Sequence, residues 1–176
     1  MKSVIERILA GFQYILPQHF LSRIVYAVMR CETKWVKNGL IGGISRIAGI
    51  NVSEALSPDP ADYASFNAWF TRELKPGARL FDTDPSAFIC PSDGRISETG
   101  SLQENRILQA KGKNYSLEDL LADDPVCKQL VGGYFSTIYL SPKDYHRVHM
   151  PLAGHLLRMI HVPGRLFSVA PYTVRQ

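Results

Sequence analysis

Apolar positions near the start of the chain recur at helical spacing. Val4, Ile5, Ile8, Leu9, Phe12, Ile15 and Leu16 follow the i, i+3, i+4 rhythm of one helix face. Pro17 interrupts it. Phe20, Leu21, Ile24, Val25, Val28 and Met29 make a second stripe, and Leu40, Ile41, Ile44, Ile47 and Ala48 a third, after Asn38-Gly39. Ser57-Pro58-Asp59-Pro60 reads as a turn, because the residue before each proline is pushed away from the helical region. Asp62 or Ser65 is placed to cap a short helix carrying Tyr63, Phe66, Trp69 and Phe70. Core packing is the favoured reading of that aromatic stripe over a membrane belt, because such rings bury so much area.

Past Lys75-Pro76-Gly77 the pattern changes to short runs between turns. Arg79, Asp82 and Asp84 make a polar loop, and residues 87–90 form a short apolar strand. Pro91-Ser92-Asp93-Gly94 is a turn. Strands are predicted over 95–98, 107–110 and 134–140, with a short helix opened by Ser116 and a break at Gly132-Gly133. His155 and His161 fall in the next apolar strands, where a lone histidine is usually structural. The expected fold class is α+β. Residues 1–56 form an N-terminal amphipathic helical arm, and residues 57–176 a β-rich domain that looks incomplete at its C-terminus.

Charge alters this picture at one end. The net charge of the 176 residues is +4. Residues 1–50 hold seven Lys/Arg against two Asp/Glu, and the remainder thirteen against fourteen, so the basic excess belongs to the arm. Two readings of the arm stay open. Its helices pack on the domain, or they lie in a membrane interface with basic groups toward anionic lipid. The longest run without a charged side chain, residues 8–22, has 15 residues and contains Pro17, whereas a spanning helix needs about 20 apolar residues. Nucleic-acid binding is disfavoured, because the basic groups are interleaved with apolar helix faces. Cys31, Cys90 and Cys127 are odd in number and widely spaced, which argues against a disulfide framework and fits a reducing compartment.

The richest chemistry lies in residues 139–151, YLSPKDYHRVHMP, where His146 and His149 sit three apart. Imidazoles titrate near neutral pH and suit acid–base work. Asp93, on a separate loop, supplies the orienting half of an Asp–His pair. Which of the two histidines it meets stays open on these residues alone. A zinc site is disfavoured: the histidines lack the helical i, i+4 spacing of the common motif, and Pro151 argues against a helix. The sole Gly-Ser dipeptide, Gly100-Ser101, reads as a turn.

Residues 139–151, 91–97 (PSDGRIS), 108–120 (LQAKGKNYSLEDL) and 162–169 (VPGRLFSV), in this order with 14–17 (YILP) and 65–74 (SFNAWFTREL), resemble phosphatidylserine decarboxylases of the bacterial membrane-associated type. The resemblance implies a pyruvoyl-dependent carboxy-lyase that converts phosphatidylserine to phosphatidylethanolamine. It implies a peripheral location on the cytoplasmic face of the bacterial inner membrane, and a homodimer is among the assemblies it allows. In that family the proenzyme cuts itself before the serine of a Leu-Gly-Ser-Thr motif, and the serine becomes the pyruvoyl group. The family's Asp–His relay for this cut falls on Asp93 and His149, which are therefore expected to meet, and a position implicated in decarboxylation falls on His146, which is expected to line the same cavity. The Leu-Gly-Ser-Thr motif is absent from these residues. The chain is therefore expected to be the N-terminal portion of such a proenzyme, active only with a C-terminal segment (the α subunit). The alternative is a catalytically inactive fragment that acts only as an anionic-membrane-binding module.

Overall fold

The computed structural model describes residues 16–102, 108–110 and 113–164. The first predicted helical stripe and the run at 166–169 lie outside the described residues, apart from Leu16. The described part mixes helix and strand. In order come α1 (Gln18–Met29), α2 (Lys34–Ala48), a 3₁₀ turn (Pro60–Asp62), α3 (Phe66–Phe70), β1 (Arg95–Ser101), β2 (Leu108–Ala110), β3 (Lys113–Tyr115), α4 (Leu117–Leu121), α5 (Cys127–Leu130) and β4 (Tyr134–Tyr139). The chain divides into two compact units, one centred on Ile96–Tyr139 and the other made of Ser22–Arg95 with Leu140–Met159.

The second unit is held by a small apolar core of Ile41, Ile50, Phe66 and Trp69. α2 supplies Ile41 and ends where Gly49 takes a left-handed conformation, φ 67°, its N–H bonded to the Ser45 carbonyl. Glycine meets that requirement without a Cβ penalty. α3 starts at Ser65, whose hydroxyl accepts from the Ala68 N–H at 3.2 Å, so Ser65 and not Asp62 is the cap. Three residues apart, Phe66 and Trp69 share the buried face, and Trp69 is wholly covered. The aromatic stripe is therefore core. Lys37 of α2 is also buried, and its ammonium is satisfied by the Tyr63 carbonyl at 2.6 Å. The chain on either side of α3 pairs with itself: Leu56 N–H donates to Glu73 O at 2.8 Å and Lys75 N–H to Glu54 O at 2.9 Å, around an antiparallel bridge of Ala55 and Leu74. α1, by contrast, buries none of its residues.

In the first unit β1 pairs with β4, and β2 pairs antiparallel with β3 in the register Leu108↔Tyr115, Ala110↔Lys113. Ser97 Oγ donates to Thr137 O, while Leu102 N–H donates to Gly133 O at 2.7 Å, so β1 and β4 run in opposite directions. Gly132, at φ 84°, makes the turn into β4. Ser116 caps α4 through the Asp119 N–H at 3.0 Å.

Two expectations need correction. Gly100-Ser101 is not a turn but the end of β1. A Cβ on Gly100 would lie 2.8 Å from the Phe135 ring, so the glycine is there for close strand packing. His155 and His161 do not lie in strands. Residues 152–164 are irregular, with Leu156 and Leu157 among the exposed side chains. Strand-forming composition needs a partner to pair with, and no described segment pairs with them.

Candidate functional site

Residues 89–91 and 149–151 run side by side. Ile89 N–H donates to Pro151 O at 3.0 Å, and His149 N–H donates to Pro91 O at 2.7 Å. An antiparallel pair of this kind normally exchanges two bonds. Pro151 cannot return a bond to Ile89, and Pro91 cannot return one to His149. Each pair keeps half its bonds, and the predicted strand over 87–90 is accordingly an extended segment without a regular ladder. The pairing nevertheless carries Asp93, two residues beyond Pro91, to the neighbourhood of His149.

Both side chains line a cavity of about 870 Å³ in the second unit, together with Tyr145 and Arg147. Between them they offer a carboxylate, an imidazole and a phenol. Alternate residues from Tyr145 to His149 line the cavity, and Met150 follows them. Tyr145, Arg147 and His149 face the cavity. His146 does not line it, contrary to expectation. Its ring stacks on Phe70 with centroids 4.1 Å apart, and its Nε2 lies 3.0 Å from Ser141 O. The Ser141–Asp144 turn sets this geometry. Asp144 Oδ2 accepts from the Ser141 N–H at 2.6 Å and from its hydroxyl at 2.7 Å.

His149 and Asp93 are not directly bonded to each other. His149 Nε2 meets the Tyr145 hydroxyl at 3.1 Å, and the two rings stack at 5.6 Å. Asp93 is gripped by Arg79: Nε donates to Oδ1 at 2.9 Å and to Oδ2 at 3.1 Å, and Nη2 to Oδ2 at 2.6 Å. Arg79 Nη2 also pairs with Glu54 Oε2 at 2.8 Å. The Arg79 hydrogen bonds hold the Asp93 carboxyl below the usual carboxylate range against the opposing effect of burial, with smaller help from the Tyr145 N–H and His149. The same bonds, to Asp93 first, push Arg79 above its ordinary value. Arg147 anchors the other wall, with Nε on Thr71 O at 2.7 Å and Nη1 on Glu73 at 3.1 Å. Buried Arg72 lies over the Trp69 ring at 5.1 Å, and its Nε and Nη1 have no hydrogen-bond partner among the described residues. Among the described residues no group of His, Cys, Asp and Glu is arranged to hold a metal.

Tyr145, Arg79 and Glu54 were not picked out from the sequence as site residues. Arg79 lies 14 residues from Asp93 with no repeating pattern to link them. The cue for Tyr145 was present: it is four residues before His149, in the same alternation.

Residues 66–176 match the family model described as phosphatidylserine decarboxylase, and residues 8–47 match a second described as PSD. The chain is 49% identical over 172 residues to a phosphatidylserine decarboxylase proenzyme of Alkalilimnicola ehrlichii, covering 97% of this chain and 60% of that protein. It is 53% identical over 158 residues to the proenzyme of Pseudomonas entomophila, covering 89% of this chain and 55% of that one. With the Bordetella pertussis proenzyme the identity is 50% over 171 residues, covering 97% and 58%. The chain thus spans somewhat more than half the length of these relatives.

Proposed function

This chain belongs to the phosphatidylserine decarboxylase family, a family of carboxy-lyases, and from that premise we propose that its residues supply the Asp–His half of a self-cleaving phosphatidylserine decarboxylase. The observation that carries the reading is the shared cavity wall of Asp93 and His149, on two segments joined by the bonds at residues 89–91 and 149–151. In the proposed relay Asp93 orients the His149 ring and stabilises its protonated form. His149 takes the hydroxyl proton of a serine supplied by a Leu-Gly-Ser-Thr segment. Tyr145, bonded to His149 Nε2, fixes the ring until that serine arrives. A change of ring orientation is needed for the relay, and the stacked Tyr145 ring gives it a surface to turn on.

The cleaved serine is proposed to become a pyruvoyl group. Asp93, His149 and Tyr145 suit such a group: they set proton donors and acceptors on a cavity large enough for a three-carbon terminus and a serine headgroup. When present, a pyruvoyl group supplies the carbonyl electron sink that decarboxylation requires. His149 would hold or deliver a proton beside it. We also assign His146 to the decarboxylation step, which requires its ring to leave Phe70 and turn into the cavity. No helix among the described residues is long and apolar enough to cross a membrane. We place the enzyme on an anionic membrane surface through α1, where Phe20, Ile24, Val25 and Tyr26 are exposed beside Arg23 and Arg30.

The test is carbon dioxide release from phosphatidylserine by the chain extended in frame with a Leu-Gly-Ser-Thr segment. Release by the extended chain, with a pyruvoyl terminus detected by mass spectrometry and no release by the 176 residues alone, is the expected result. Pyruvoyl formation and release by the 176 residues alone would contradict the proposal.

A further inference from the structure

Arg79 holds two carboxylates at once. It grips Asp93 side-on with Nε and Nη2, and Nη2 also reaches Glu54 at 2.8 Å. Glu54 is itself fixed: Asn51 Nδ2 donates to its Oε1 at 2.9 Å, and its backbone carbonyl accepts from Lys75. The other cations on the cavity wall are committed elsewhere. Arg147 is taken by Thr71 O and Glu73, and the Lys75 ammonium by Ser53 O at 2.8 Å. Asp93 therefore faces Arg79 as its bonded cation, with Tyr145 and His149 alongside and Asp82 elsewhere on the wall. Arg79 loads Oδ2 twice and Oδ1 once. With the shared Arg79 Nε–H counted once, the guanidinium and the Tyr145 N–H use three of the about four acceptor sites of a carboxylate, which leaves one for an imidazole N–H.

We propose that Arg79 is a positioning residue of self-cleavage: anchored by Glu54, its guanidinium fork presents the Asp93 carboxylate to His149 in one orientation. The inference rests on the Asp93–His149 relay proposed above. A lysine cannot reproduce it, because a point charge lacks the two-donor fork. Removing the fork leaves Asp93 free to turn, and misplacement of this order costs about 100-fold in rate. Removing the cation also lets Asp93 protonate at higher pH, so the relay loses its ionised carboxylate sooner as pH falls.

The experiment measures self-cleavage against pH in the chain extended with the Leu-Gly-Ser-Thr segment. Arg79→Gln is expected to cleave at least tenfold more slowly, with the acid limb of the profile moved to higher pH. Arg79→Lys is expected to cleave slowly with the acid limb near that of the parent. Should Arg79→Gln fail to fold, Arg79→Lys carries the test once its urea midpoint matches the parent's: slow cleavage by a chain so folded supports the fork, and parent-like cleavage overturns it. A merely structural role would lower the rate equally at every pH in Arg79→Gln. That uniform loss, or parent-like cleavage in either variant, overturns the proposal. Asp93→Asn in the same chain separates the two ideas. If Asp93→Asn cleaves like the parent, the relay itself fails. If Asp93→Asn is blocked while Arg79→Gln cleaves as the parent does, only the role of Arg79 fails.

Discussion

His146 and His149 are only three residues apart, yet their side chains part company. His149 faces the cavity, whereas His146 is held on the Phe70 ring with its Nε2 at the Ser141 carbonyl. At this scale the structure makes two further predictions. The first concerns acid. The carboxyl of Asp93 titrates lower in the folded chain than in the unfolded one. Its contribution to stability is therefore fully present above the unfolded value of about 3.9 and is lost as pH falls through the lower folded value. Urea melts at neutral pH and near pH 3 check this. Arg79→Gln is expected to be destabilised at neutral pH, with the difference from the parent shrinking as the medium becomes more acid. The second concerns thiols. A hydrogen bond from Thr33 lowers Cys31, whereas burial raises Cys127, which is 4% exposed. In mild alkali an alkylating reagent should label Cys31 well before Cys127, as read by peptide mass mapping.

Elements whose signals are local could be read directly from sequence. The caps at Ser65 and Ser116, the break at Gly132 and the strand that became β4 all rest on neighbouring residues. The segment over 87–90 could not be read correctly from its own residues, because the bond missing at the Ile89 carbonyl is the one that Pro151, 62 residues on, cannot return. Gly100 was misread for a similar reason: the Phe135 ring that demands a glycine arrives from β4. The Asp93–His149 neighbourhood was legible only through the resemblance of both motifs to one family, and the Arg79–Glu54 anchor not at all. At the element scale α3 should be the stability centre of its unit. Trp69→Ala removes a wholly buried indole from the core against α2 and should cost about 3–5 kcal/mol in urea unfolding. Arg72 gives the opposite sign. Its buried guanidinium lacks partners at Nε and Nη1, so Arg72→Met should raise the melting temperature of the 176-residue chain by about 2–4 °C.

For the whole molecule, the basic excess of the first fifty residues has exposed apolar side chains beside it in residues 16–50, although more such side chains lie beyond residue 50. α1 buries nothing, and Trp35 and Ile47 of α2 are 79% and 89% exposed. The proposed membrane attachment predicts stronger partitioning onto anionic than neutral vesicles, weakening as salt screens the basic groups. Changing Phe20 and Ile24 together to aspartate should reduce binding by more than about tenfold, given the apolar area each would bury. Equal binding to both vesicle types would remove the electrostatic part of this account. The central claim is narrower: Asp93 and His149 drive self-cleavage. It is tested by a denaturing gel of the chain extended in frame with the Leu-Gly-Ser-Thr segment. The account predicts two bands for the parent and for Ser101→Ala, and one full-length band for Asp93→Asn and for His149→Ala. Two bands for either relay variant, or cleavage between Gly100 and Ser101, would contradict it.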